Sequence, residues 1–210
     1  MNEYDFKRFG FEIPLQIIGS LDIIREEENL PTVLLFDEHH ENLNNCIDKN
    51  IVNAIELISK GNVNRIGVES LAGGKSWDSQ NQVYSDNYPD KKFDDKLAST
   101  YTSSSVKFAV EVRKYNSEII YGVESFGMMH RLSLDFDIDN SNVSSHPLHK
   151  ERSKHFIQTL FENYDFKNGN IFILNCGSNH NDHIEEWVAN GEIDKIVGIK
   201  ANYIRINTVN

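Results

Sequence analysis

Short apolar runs that stop abruptly at an acid or a histidine constrain this chain more than any other feature. Thr32 to Phe36 runs into Asp37-Glu38-His39-His40-Glu41. Ile66 and Val68 lead to Glu69, Ile119 to Val123 leads to Glu124, and Ile171 to Leu174 leads through Asn175-Cys176-Gly177-Ser178-Asn179 to His180. A run of about five apolar residues reads as a strand buried on both faces of a parallel sheet, especially when punctuation such as Pro31 precedes it and helical spacing follows.

The helical spacing is explicit. Leu43, Cys46, Ile47, Asn50, Ile51, Ala54, Ile55 and Ile58 recur at steps of three and four and predict a helix from Asn42 to Gly61. Ser104 to Tyr115 and His149 to Tyr164 carry similar stripes, and His180 opens a helix bearing Ile184, Trp187 and Val188 that Gly191 ends. Strand and helix therefore alternate. The expected fold is α/β, a mostly parallel central sheet flanked by helices, with residues 1–210 forming one domain.

Residues 1–31 read as a lead-in, with a strand from Phe11 to Ile18 and a helical segment from Leu21 to Asn29. Ile193 to Ile199 and Tyr203 to Ile206 read as two closing strands. Residues 71–103 break the pattern with Gly73, Gly74 and Pro89 among scattered aromatics, and read either as a lid or as a solvent-exposed excursion.

In parallel sheets ligands collect beyond the carboxyl ends of the strands, and right-handed crossovers put those ends on one edge. Glu38, His40, Glu69, Glu124 and His180 are thereby expected to converge. Carboxylates and imidazoles on one edge either hold a divalent metal or work as acid and base. His130 and Arg131 follow the third strand, and an exposed helical position is the first reading for both. Arg152 falls on the apolar face of its helix; it is read first as snorkelling to solvent and second as reaching an acid of the site.

The balance of 21 basic against 32 acidic residues gives a net charge of -11, which disfavours nucleic acid and anionic membrane as partners. Neither an apolar leader core nor a membrane-length run is present, and Cys46 and Cys176 read as reduced core thiols, so a cytoplasmic location is expected. Asp135, Asp137 and Asp139 alternate as if for calcium, but Asn140 and His146 stand where such a loop needs glycine and a bidentate glutamate. No G-x-S-x-G elbow and no phosphate-cradling glycine loop occur.

Taken in order, these residues resemble the superfamily that includes the haem-binding ChaN proteins, the erythromycin esterases and the TraB/TIKI proteins. Glu38, His40 and Asn42 match the first motif, G-E-x-H-x-N, with Asp37 in place of its glycine; Glu69 matches the next strand-end glutamate, and Gly177-Ser178-Asn179-His180 the late G-x-x-H. The Arg152 helix resembles the arginine-bearing helix that precedes that last strand. The resemblance implies a hydrolase acting on an ester or amide of a small molecule or peptide. Glu38, His40 and His180 would hold manganese, cobalt or zinc, and Glu69, Glu124 and His40 would act in catalysis. Without metal, His40 or a glutamate of raised pKa would be the base. The alternatives are a non-enzymatic binder of haem or a similar ligand, covered by the aromatics of residues 77–93, and an interaction module without chemistry.

Overall fold

The computed structural model describes residues 2–9, 14–38, 43–60, 63–72, 104–116, 118–125, 127–128, 131–132, 146–162, 164 and 170–208. His40, His130, the acids at 135, 137 and 139, and nearly all of the 71–103 segment lie outside them.

A small antiparallel pair, β1 (Asn2–Tyr4) and β2 (Leu15–Ile17), precedes the main sheet. That sheet contains β3 (Ser20–Arg25), β4 (Thr32–Glu38), β5 (Val63–Ala72), β6 (Ile120–Glu124), β7 (Ile171–Gly177) and β8 (Asn202–Asn207) in the order β3-β8-β4-β7-β5-β6. Only β3 is antiparallel, paired with β8 at one edge. Both central strands β4 and β7 are buried along their whole length, as their continuous apolar runs demand.

Helices α1 (Leu43–Lys60) and α2 (Ser104–Val112) follow β4 and β5, while α3 (Pro147–Phe161), α4 (Ser178–Ala189) and α5 (Ile193–Val197) follow β6 and β7. The chain moves outward to β6 through α1 and α2, then returns to β7 and β8 through α3 and α4. Right-handed crossovers in opposite directions require helices on opposite faces. Two cores result. Ile47, Ala54 and Leu57 of α1 and Phe108 of α2 pack with Leu34 and Phe36 on the first face; Phe156 and Leu160 of α3 and Ile184 of α4 pack with Val33 and Leu35 on the second. The alternation of strand side chains assigns each to its core. Along the order β4-β7-β5-β6 successive strands send the chain to alternate faces, which opens crevices at their carboxyl ends.

Two expectations are corrected. Leu21 to Asn29 does not form a helix: residues 20–25 are β3, recruited by pairing Leu21 with Ile206 and Ile23 with Ile204. Gly19 makes the turn into it at φ 116, where a Cβ would lie 2.3 Å from the Asn207 carbonyl oxygen. Ile193 to Val197 is helical rather than extended, because Ile193, Ile196 and Val197 share a helix face on the second core, and Gly198 ends the turn at φ 78. Cys46 and Cys176 are buried free thiols. No described helix is long and apolar enough to cross a membrane.

Candidate functional site

Glu38 is the last residue of β4, and its side chain turns to the first face. Ser105 Oγ in the first turn of α2 donates to Glu38 Oε2 at 2.7 Å, and Asn175 Nδ2 of β7 donates to the same oxygen at 3.1 Å. Asn50 of α1 closes the network, donating to Asn175 Oδ1 at 3.1 Å and to the Asp37 carbonyl at 2.9 Å. None of these partners is a cation. Burial, joined by the charge of Glu69, therefore pushes the Glu38 carboxyl up to about 7 despite the hydrogen bonds from Ser105 and Asn175.

Glu69 has the opposite setting. β5 continues to Ala72, but its pairing with β6 shifts register between Val68 and Ala72, so Glu69 sits at a break in the ladder. Its Oε2 accepts the Gly177 N–H at 2.8 Å, and its Oε1 accepts from Arg152 Nη2 at 3.2 Å and lies 3.6 Å from His180 Nε2. Burial alone raises this carboxyl, yet His180, the Gly177 amide and Arg152 together hold it down at about 2. Arg152 also grips Glu124, the last residue of β6, at 2.7 Å through Nη2 and 3.2 Å through Nε. It is 7% exposed, so it does not snorkel: a buried guanidinium fork bridges two carboxylates.

Asp37, beside Glu38, turns to the second face instead. Arg205 Nε donates to both its oxygens, at 3.0 and 2.9 Å, and Asn181 Nδ2 donates at 2.9 Å. Its charge is thus neutralised inside the framework. The Cys176 thiol donates to Asn181 Oδ1 at 3.2 Å, and burial pushes its pKa well up, which is the setting of a structural thiol.

Against the Glu69–Arg152 network lies an imidazole cluster. His149 comes from α3, and His180 and His183 from the start of α4; one ring nitrogen from each lies within 4.8 Å of the others. His149 stacks on His180 with centroids 4.0 Å apart and planes 10° apart, and meets His183 edge-on at 5.4 Å. Ser153 Oγ is 2.7 Å from His180 Nδ1 and 2.8 Å from His183 Nδ1. Burial, reinforced by the charges of His180 and Arg152, pushes His149 down to about 3, and burial likewise lowers His183. A neutral imidazole is the form that ligates metal.

The donor set therefore suits a divalent ion of the zinc or cobalt type. His149 Nδ1 adds a second indication, since it is buried and has no hydrogen-bond partner among the described residues. Two stacked rings direct their in-plane lone pairs side by side, and among the described residues no partner pins His149 Nδ1 against turning toward a shared ion. Next to the cluster, a groove of about 610 Å³ runs between α3, α4 and α5, lined by Lys150, Lys154, Lys195 and Trp187 among others. The Trp187 ring lies 6.2 Å from that of His183.

Glu69, Glu124 and His180 are thus joined through Arg152 and the His180 contact. Glu38 lies across the sheet edge, near enough for Glu69 to raise its pKa. Arg131 is exposed. The sequence reading passed over His149, Ser153 and His183. The signals for them were the H-x-x-H spacing of His180 and His183, and the single helical face shared by His149, Arg152, Ser153 and Phe156.

Fold and site together define a class: an α/β protein with a mixed, mostly parallel sheet and a buried three-histidine cluster capable of coordinating a metal beside a carboxylate–arginine network. In comparisons with known proteins, no protein-family model, no curated protein and no solved structure matches this chain.

Proposed function

We propose that the protein is a metal-assisted hydrolase acting on an ester or amide bond of a small molecule or peptide, with His149, His180 and His183 as the ion's holders. The observation that carries this reading is the convergence of three imidazole nitrogens, two of them on buried residues, beside an ionised glutamate. A divalent ion held there supplies a Lewis acid and lowers the pKa of water. Glu38, with a carboxyl near neutrality, is the group on this sheet edge suited to exchanging a proton. Arg152 keeps Glu69 ionised and holds both Glu69 and Glu124 in place, and Glu69 orients His180. His40, two residues after Glu38 in the sequence, is a further candidate base or ligand. The resemblance of the Glu38, Glu69 and His180 motifs to the erythromycin esterase, ChaN and TIKI superfamily supports hydrolysis as the reaction class, and the free thiols support a reducing, cytoplasmic setting.

The test is metal content after purification without chelator or nickel resin, followed by add-back of manganese, cobalt or zinc to the chain and to a His180→Ala, His183→Ala variant checked for folding by circular dichroism. Near-stoichiometric metal in the native chain, lost in the variant together with turnover of an ester and peptide panel, is expected. A native chain that takes up no ion sinks the metal assignment. A Soret band on haem titration of that same chain would favour the binding-protein alternative.

A further inference from the structure

The Ser153 hydroxyl has more neighbours than it has protons. Its Oγ lies 3.1 Å from the His149 carbonyl, 2.7 Å from His180 Nδ1 and 2.8 Å from His183 Nδ1. A carbonyl only accepts, so the single hydroxyl proton is spent on His149 in the i to i-4 bond that serine often makes within a helix. Both lone pairs of Oγ remain. Each imidazole must then donate to one of them, which requires a hydrogen on Nδ1 of both rings.

We propose that Ser153 is a positioning residue that keeps a hydrogen on Nδ1 of both His180 and His183, so that Nε2 is the nitrogen of each ring left to take a proton or a metal. For His180 the consequence is specific: its Nε2 faces Glu69 Oε1 at 3.6 Å, so the carboxylate is the neighbour of whatever the ring holds there, a proton in the metal-free chain or a metal in its place. The arrangement follows a general design in which the distal nitrogen of a ligating histidine is committed to a fixed partner that sets tautomer and ring orientation. Here one hydroxyl serves two rings. Its buried position in the middle of α3, with no exposed surface, fits a positioning role rather than that of a nucleophile. The tautomer assignment stands on the apo geometry alone, whereas ligation through Nε2 rests on the metal reading given above.

The experiment is long-range proton–nitrogen correlation NMR of uniformly nitrogen-15-labelled protein at about pH 8, where unperturbed imidazoles are neutral. It is recorded metal-free and then with zinc, for the native chain, Ser153→Ala and Ser153→Thr. Protonated Nδ1 on both rings is expected in the native chain and in Ser153→Thr, with mixed tautomers in Ser153→Ala. Zinc affinity, measured by calorimetry, should fall about 10- to 100-fold in Ser153→Ala and recover in Ser153→Thr. An Nδ1 without hydrogen on either ring of the metal-free native chain, or zinc on Nδ1, overturns the assignment. Absence of zinc binding with both Nδ1–H signals intact defeats the metal reading and leaves the tautomer lock supported. Should Ser153→Ala not fold, the native spectrum still decides.

Discussion

Glu38 and Glu69 are both buried glutamates at the carboxyl edge of one sheet, separated in the strand order by β7, yet they are in opposite protonation regimes. Among the described residues Glu38 accepts hydrogen bonds only from neutral groups, and it rises to about 7; Glu69 meets Arg152, His180 and a backbone amide and falls to about 2. Burial penalises both carboxylates. What separates them, among the described residues, is whether a cation reaches the oxygen from the facing helix: α3 supplies Arg152 on the second face, and α2 supplies Ser105 on the first. A pair of carboxyls driven apart in this way can divide the work, one staying ionised while the other exchanges a proton near neutral pH.

The largest expected effect comes from removing the cation. Arg152→Met leaves Glu69 and Glu124 buried without their shared partner and should cost about 3–5 kcal/mol in urea unfolding at neutral pH. A loss below about 1 kcal/mol, the level of an exposed pair, would erase the contrast.

Next in size is the acid limb of the stability curve. With a folded pKa of about 2, the contribution of Glu69 is complete above its unfolded value near 4.5 and disappears as pH falls toward 2. This amounts to about 3 kcal/mol. Glu69→Gln should lack that slope, as followed by denaturant midpoints across the acid range.

Glu38 carries the opposite sign. Its folded pKa of about 7 lies above 4.5, so its contribution is complete at low pH and is lost as pH rises through 7. Glu38→Gln should match the native chain near pH 4 and exceed it by about 2–3 kcal/mol near pH 8. A variant less stable at every pH would mean that Glu38 is ionised in the fold.

The smallest effect is expected from Ser105→Ala. It removes a hydrogen bond that lowers the Glu38 pKa, and should move that pKa above 7 while costing about 1 kcal/mol near pH 8. Carbon-13 detection of the Glu38 carboxyl reads both changes.

Much of this frame is legible along the chain. Glu38 and Glu124 end their strands because apolar runs bounded by polar residues mark strand limits locally, and the stripe of α1 from Cys46 to Leu57 identifies its buried face without reference to anything else. Local pattern failed where pairing decided. The 20–25 segment became a strand because β8 was available to receive it. Arg152 was legible as a residue on an apolar helix face, but a helix wheel does not reveal that two carboxylates lie beneath that face.

By itself the sequence determined the alternation of strand and helix, the mostly parallel sheet and the delivery of acids and histidines to one edge, since these follow from side-chain periodicity and the handedness of crossovers. Only the tertiary structure decided which glutamate stays charged, which histidines meet and where Ser153 sends its proton. Those outcomes depend on groups far apart in sequence, such as Arg152 and Glu69 or His149 and His180, brought within a few ångströms in a medium where one neighbouring charge outweighs burial.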